Sequence, residues 1–100
     1  MPHRTLLQKR VAALDGVLFI NADLALPEEP GIYIVCTKQY IPLYVGRSRN
    51  MRLRWSSGHH KALACMRAGA DMVKYVITAD LEQEQDYIDD LQPYLNDRAA

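Results

Sequence analysis

The chain has 100 residues, enough for one domain with a single hydrophobic core. Apolar residues make up 49% and charged residues 24%, as in ordinary soluble proteins, and the apolar runs are too short for a membrane span. The formal net charge is zero, which excludes a uniformly basic chain. Cys36 and Cys65 lack metal-ligand spacing, so we expect two small buried side chains in a reducing compartment, the cytoplasm.

The first thirty residues predict one helix and a leader. Thr5 and Gln8 form a capping-box signature, and apolar residues at helical spacing extend it to a helix over residues 5–14. The apolar run at residues 17–20 predicts either a brief strand or a loop anchor, and residues 23–30 are predicted to be irregular. We expect residues 1–29 to pack on a core domain formed by residues 30–97.

Two neighbouring strands are predicted in the middle of the chain. Residues 31–35 and 41–46 are rich in β-branched and aromatic residues, which half-buried strands prefer. If the strands form a hairpin of suitable register, their period-two alternation puts Tyr33 and Tyr44 on the same face of the sheet. These tyrosines are either packing aromatics or part of a site.

Two short helices are predicted next. Asn50 is a plausible N-cap, and Met51, Leu53 and Trp55 are expected to pack inward from the first helix. The second helix, over about residues 60–68, is expected to end at Gly69.

The last elements complete a mixed fold. Residues 72–77 predict a third strand. Asp80, with Gln83 at the third helical position, is predicted to cap a final helix that runs to about residue 92 and ends before Pro93. The fold class is therefore α+β, a small three-stranded antiparallel sheet flanked by helices.

Charge is divided between two segments. Residues 30–70 contain no acidic residue, and residues 75–97 contain no lysine or arginine. The basic residues of the first segment are Lys38, Arg47, Arg49, Arg52, Arg54, Lys61 and Arg67. The acidic residues of the second are Asp80, Glu82, Glu84, Asp86, Asp89, Asp90 and Asp97. Either the two segments neutralise each other or are solvated faces, or a phosphate-binding surface lies beside a carboxylate that holds a metal.

Glu84 differs from the other acids of the last helix. It falls on the apolar stripe marked by Leu81, Ile88 and Leu91, whereas the others fall on solvated faces. An inward carboxylate is costly unless it is paired or binds a cation. Glu84 is therefore either salt-bridged to an arginine or a ligand for a hard divalent ion such as Mg²⁺.

Arg54 and two histidines are further candidates for a phosphate site. The guanidinium of Arg54 suits phosphate binding and the charge that builds on phosphorus during displacement, although an arginine is more often a solvated surface residue. His59 and His60 could polarise a nucleophile or donate to phosphate. Their spacing does not indicate a zinc site.

These residues together resemble the GIY-YIG nuclease superfamily over residues 31–96. The resemblance rests on Gly31-Ile32-Tyr33, Tyr44-Val45-Gly46, Arg54-Trp55, Glu84 and Asn96 in this order and with family-like spacing. The run from Glu84 through Ile88 and Pro93 to Asn96 matches the signature of the family's last helix.

The resemblance implies an endonuclease that hydrolyses DNA phosphodiester bonds with one Mg²⁺, for which Mn²⁺ would substitute. Glu84 would bind the metal, and Arg54 would steady the scissile phosphate. Tyr33 and Tyr44 would be the paired tyrosines, one of which activates the attacking water, and Asn96 would order the site.

One family position departs from the pattern. Relatives often have a histidine or tyrosine four residues after the arginine, and here that residue is Gly58. Either His59 or His60 fills the role after a one-residue insertion, or the role is unfilled. For DNA binding, four basic residues are candidates: Arg47, Arg49, Arg52 and Lys61.

Two alternatives to an autonomous nuclease stay open. One is a non-catalytic nucleic-acid-binding or regulatory module that keeps the fold. The other is a catalytic domain that needs a protein partner, or a second copy of itself, for targeting.

Overall fold

The computed structural model describes residues 5–19 and 25–96. The predictions made for residues 1–4, 20–24 and 97 lie outside the described residues. In chain order the elements are α1 (Leu6–Ala12), β1 (Asp15–Leu18), β2 (Gly31–Cys36), β3 (Pro42–Ser48), α2 (Met51–Ser56), α3 (Ala62–Arg67), β4 (Met72–Ile77) and α4 (Gln83–Leu91). None of the described helices has the length and apolarity to cross a membrane.

The sheet has four antiparallel strands in the order β1-β4-β2-β3, so the prediction of three strands is wrong. The added strand is β1, which pairs along β4 from Asp15 opposite Tyr75 to Leu18 opposite Met72. The ammonium group of Lys74 on β4 donates to the carbonyl oxygens of Ala12, at 3.3 Å, and Leu14, at 2.9 Å. These contacts with β4 hold β1 in position. The residues that make them lie far away in the chain, so the pattern of apolar residues within 15–20 does not predict them.

The alternation predicted for β2 is confirmed. Tyr33 and Val35 face a cluster that includes Trp55, whereas Ile32 and Ile34 face a second cluster on the other side of the sheet. All six residues of β2 are buried, because helices pack on both faces and strands flank both edges.

The hairpin register brings the two tyrosines together as predicted. Tyr33 lies opposite Gly46, and Val35 lies opposite Tyr44, so both phenol rings project from the same face. Their ring centroids are 6.4 Å apart.

The N-terminal caps of α1 and α2 form as predicted, but the side chain of Leu53 does not pack inward. Thr5 and Gln8 make the reciprocal capping-box bonds, and the Asn50 side chain accepts from the Leu53 backbone. Leu53 is 60% exposed. Met51 and Trp55, one helical turn apart, define the buried face of α2, and Leu53 points away because it is two residues from each.

The last helix starts later than predicted, at Gln83. The Asp80 carboxylate accepts from the backbone N–H of Glu82 at 3.2 Å, and the backbone N–H of Asp80 donates to the Thr78 hydroxyl at 3.1 Å. These side chains form turns that compete with helix initiation, so the prediction that Asp80 is the N-cap is wrong. The helix ends at Leu91, where Gln92 adopts a left-handed conformation before Pro93.

Candidate active site

Gly46 makes room for the Tyr33 side chain on the sheet surface. A Cβ atom built on residue 46 would lie 2.5 Å from both Cζ and Oη of Tyr33, much closer than atoms in contact. The Tyr33 ring therefore crosses β3 directly over the backbone of Gly46. The last residue of the Tyr-Val-Gly run thus fixes where the Tyr33 hydroxyl lies.

His59 is the hydrogen-bond partner of that hydroxyl. Its Nε2 lies 2.7 Å from Tyr33 Oη, and its Nδ1 accepts from the backbone N–H of Lys61 at 3.0 Å. Burial, reinforced by the positive charge of Arg54, lowers the pKa of His59 from 6.5 to about 3, so the ring is neutral at pH 7. Because a backbone N–H can only donate, the single ring proton is on Nε2, which donates to Tyr33.

Tyr33 is held as a neutral phenol. Burial raises its pKa above the ordinary value of 10, and the nearby Tyr44 and Glu84 raise it further. The positive charge of Arg54 acts in the opposite direction and is outweighed. Since the Tyr33 oxygen accepts from His59, its own proton is left to be donated to another group.

Three aromatic rings form a stack beside this hydroxyl. The ring centroids of Trp55 and His59 are 4.0 Å apart with an interplanar angle of 15°, and those of His59 and His60 are 4.8 Å apart at 14°. Trp55 and His59 are buried, whereas His60 is exposed. A guanidinium nitrogen of Arg54 donates to Nδ1 of His60 at 3.0 Å, which fixes the outer ring.

Glu84 lies at the edge of the core and pairs with an arginine, one of the two alternatives predicted for it. Its carboxylate is 3.7 Å from the guanidinium of Arg47, and its side chain is 26% exposed. Desolvation raises the pKa of Glu84, and the charge of Arg47 partly offsets this effect. The other acids predicted to be solvated, Glu82, Asp86, Asp89 and Asp90, are all exposed.

The donor set around Glu84 fits a hard cation that keeps most of its waters. Within residues 5–19 and 25–96 no three His, Cys, Asp or Glu side chains lie close enough together to hold a metal. Mg²⁺ does not need such a cluster, because it is commonly held by one or two carboxylates, water and substrate phosphate. The partly desolvated oxygen atoms of Glu84 are suitable for that role.

Asn96 contacts the site through the backbone of β3. Its side-chain oxygen accepts from the N–H of Val45, and its side-chain nitrogen donates to the carbonyl of Val45, each at 2.8 Å. The backbone N–H of Leu95 also donates to the carbonyl of Leu43, at 2.7 Å. Asn96 thus holds the strand that carries Tyr44.

The four basic residues predicted to bind DNA do not form one cluster. Arg47 and Arg49 line a groove of about 560 Å³ together with Pro30, Ala79 and Leu81. Arg52 lines a separate concavity that contains Glu28. The backbone of Lys61 is hydrogen bonded to His59.

The sequence left two contacts of the site undetermined, namely which arginine pairs with Glu84 and which side chain packs on His59. Arg47 pairs with Glu84, and Trp55 stacks on His59. The first joins residues far apart in the chain, which only the antiparallel register and the placement of α4 bring together. The second could have been suspected because Trp55 and His59 are four residues apart and the intervening turn contains Gly58, with φ of 94°. The two cysteines are free and buried, as predicted.

Comparison with known proteins gives a structural match. No protein-family model matches the chain, and no curated protein matches it. Among solved structures, the chain is similar to the N-terminal GIY-YIG endonuclease domain of UvrC from Thermotoga maritima bound to magnesium, with 25% identity and a TM-score of 0.61 over 73% of this chain and 89% of that one. A point mutant of the same domain, bound to its catalytic divalent cation, matches over 96% of this chain and 100% of that one, with 21% identity and a TM-score of 0.60. The chain therefore has the fold of the GIY-YIG nuclease superfamily.

Proposed function

We propose that this chain is a metal-dependent endonuclease that hydrolyses DNA phosphodiester bonds. The observation that carries the proposal is the convergence of three groups around one buried hydroxyl. His59 is hydrogen bonded to Tyr33, and Arg54 and Glu84 are near enough to influence its ionisation. A structural core has no need to collect a partly desolvated carboxylate and an arginine around a buried phenol.

Each charged group has a distinct role in this proposal. Glu84 holds the Mg²⁺, with Mn²⁺ as a substitute, and the metal when bound supplies Lewis acidity and a nucleophile of lowered pKa. Arg54 binds the scissile phosphate and stabilises the charge that grows on it. Because the Arg54 guanidinium is hydrogen bonded to His60, part of its rotamer freedom is already lost before the phosphate binds.

The two tyrosines have different roles. Tyr33, with its raised pKa, stays protonated and donates its hydrogen to an oxygen of the phosphate or of the attacking water. Tyr44 is the less buried of the two and lies beside both histidine rings, so it is the tyrosine that we assign to accept a proton from the water, in its phenolate form. His59 holds the Tyr33 hydroxyl in place. In this proposal it takes the role of the histidine or tyrosine that relatives often have at the position of Gly58.

DNA would approach along the groove that Arg47 and Arg49 line, next to Glu84. Specific DNA interfaces bury roughly 1,000 Å² or more of protein surface, and single small modules commonly bury less. We therefore expect binding that weakens steeply with salt, and we expect targeting to come from DNA structure or from a protein partner.

Cleavage of supercoiled plasmid and of branched DNA tests the proposal. Purified protein is incubated with Mg²⁺, Mn²⁺ or EDTA, and Glu84→Gln is compared with the wild type. We expect metal-dependent cleavage by the wild type and none by Glu84→Gln, because the amide keeps the shape of the side chain but loses its charge. Glu82→Gln is the matched control, since Glu82 is exposed just before the same helix and should not affect cleavage.

The outcomes separate the three functional readings. Equal cleavage by Glu84→Gln and the wild type would remove Glu84 from the mechanism. DNA binding without cleavage under any metal condition would favour a binding module or a domain that needs its partner. Mn²⁺ binding measured by calorimetry on both variants provides a readout that does not depend on activity.

A further inference from the structure

We infer that the outer face of His60 is a stacking site for an unpaired nucleobase, and that the preferred substrate is DNA with an unpaired nucleotide next to the scissile phosphate. This inference rests on the proposed nuclease function and adds the substrate class to it. The observation behind it is the three-ring stack, which begins in the core and ends at the surface.

The order of the rings in the stack follows from their distances. Trp55 and His60 are each nearly parallel to His59, with centroids 4.0 Å and 4.8 Å from it. Two rings so close to one imidazole cannot share a face, so Trp55 covers one face of His59 and His60 covers the other. His60 is therefore the last ring of the stack.

Tyr44 does not close the end of the stack. Its centroid lies 5.4 Å from that of His59 and 6.3 Å from that of His60, and it is nearly perpendicular to both rings. A ring beyond the outer face of His60 would be farther from His59 than from His60, whereas Tyr44 is nearer to His59. Tyr44 thus lies along the side of the stack, and it leaves the outer face of the exposed His60 uncovered.

The position of His60 links a stacked base to the phosphate site. The Arg54 guanidinium that donates to Nδ1 of His60 is the group proposed to bind the scissile phosphate. A nucleotide whose phosphate contacts Arg54 would therefore have its base within reach of the His60 ring. Trp55 and His59 are buried behind this ring and hold it rigidly, so stacking costs little side-chain entropy.

Only an unpaired base can use such a surface. In an intact duplex each base is already stacked between neighbours and its faces are covered. A bulged, flapped or mismatched nucleotide has a free face, and stacking on aromatic protein rings contributes substantially to binding without selecting a particular base. The exposed ring at the phosphate site thus favours distorted or branched DNA over regular duplex.

Binding to three matched duplexes tests the inference. One duplex is fully paired, one carries a single bulged thymidine, and one carries an abasic bulge that keeps the same backbone distortion. Affinities are measured by fluorescence anisotropy in EDTA, and the same DNAs are then incubated with Mg²⁺ to score cleavage. We expect the wild type to bind the thymidine bulge about 5- to 150-fold more tightly than the abasic bulge.

Two substitutions separate the ring from its hydrogen bond. His60→Phe keeps a flat ring and should keep the preference, whereas His60→Asn keeps an acceptor for Arg54 without a ring and should lose it. Equal binding of the two bulges by the wild type, or a preference that survives in His60→Asn, would overturn the stacking site. Cleavage by a protein that binds the two bulges equally would refute the stacking site and leave the nuclease proposal intact. Tighter binding of the thymidine bulge without any cleavage would support the stacking site and count against the nuclease proposal.

Discussion

Acidification should destabilise this fold through His59. The side chain is 6% exposed, and its pKa is lowered from 6.5 to about 3, so the unfolded chain takes up a proton far more readily than the folded one. The stabilisation is complete above the ordinary histidine pKa and is lost as the pH falls toward 3. Between about pH 7.5 and pH 5 the loss amounts to about 2 kcal/mol, at about 1.4 kcal/mol per pH unit below 6.5.

Urea denaturation followed by the fluorescence of Trp55, the single tryptophan, measures this loss. His59→Gln is the control, because its amide can still donate to the Tyr33 hydroxyl but has no proton to gain in this pH range. Other titrating groups, including Glu84 with its raised pKa, contribute equally to both proteins and cancel in the difference. We expect the wild type to lose about 2 kcal/mol more than the variant on acidification.

The same pH dependence in the wild type and in His59→Gln would refute the reasoning. It would mean that His59 gains its proton as easily in the folded protein as in the unfolded chain. The desolvated environment inferred for His59 would then be wrong, and with it the argument that the folded ring stays neutral well below pH 6.5.

Two further substitutions test the geometry of the hairpin. Gly46→Ala puts a methyl group against the Tyr33 ring. We therefore expect the free energy of unfolding, measured by urea denaturation, to fall by about 1–3 kcal/mol, and plasmid cleavage to be lost. Unchanged values would show that the Tyr33 ring can move aside without cost. Asn96→Ala removes both bonds to the Val45 backbone, and we expect the free energy of unfolding to fall by about 1–3 kcal/mol. We also expect hydrogen exchange at the Val45 backbone N–H to change from slow to rapid. An amide that stays protected would contradict the contact.

The features that the sequence predicts well depend on residues close together in the chain. Alternation fixes the two faces of Gly31–Cys36, and the capping box of Thr5 and Gln8 is complete within four residues. The shared face of Tyr33 and Tyr44 requires one further step, the hairpin register. These predictions hold because local geometry alone decides them.

The predictions that failed depended on competition or on distant contacts. Asp80 has the right chemistry for a cap, but the turn it forms with Thr78 moves the helix start to Gln83. The strand Asp15–Leu18 has only a weak alternation of apolar and polar residues. It forms because its backbone pairs with β4. Spacing in the sequence could not choose between His59 and His60, and only the fold brings Tyr33 against the first of them.

The segment after α4 also bears on self-association. β3 forms one edge of the sheet, and such an edge offers unpaired backbone groups to which another chain can add as a strand. Here the amide of Asn96 and the backbone N–H of Leu95 occupy those groups at Val45 and Leu43. Asn96, which we propose orders the active site, therefore also covers backbone groups of this edge strand. Its loss would leave them free to pair with another chain, so it would favour edge-to-edge aggregation as well as weaken the site.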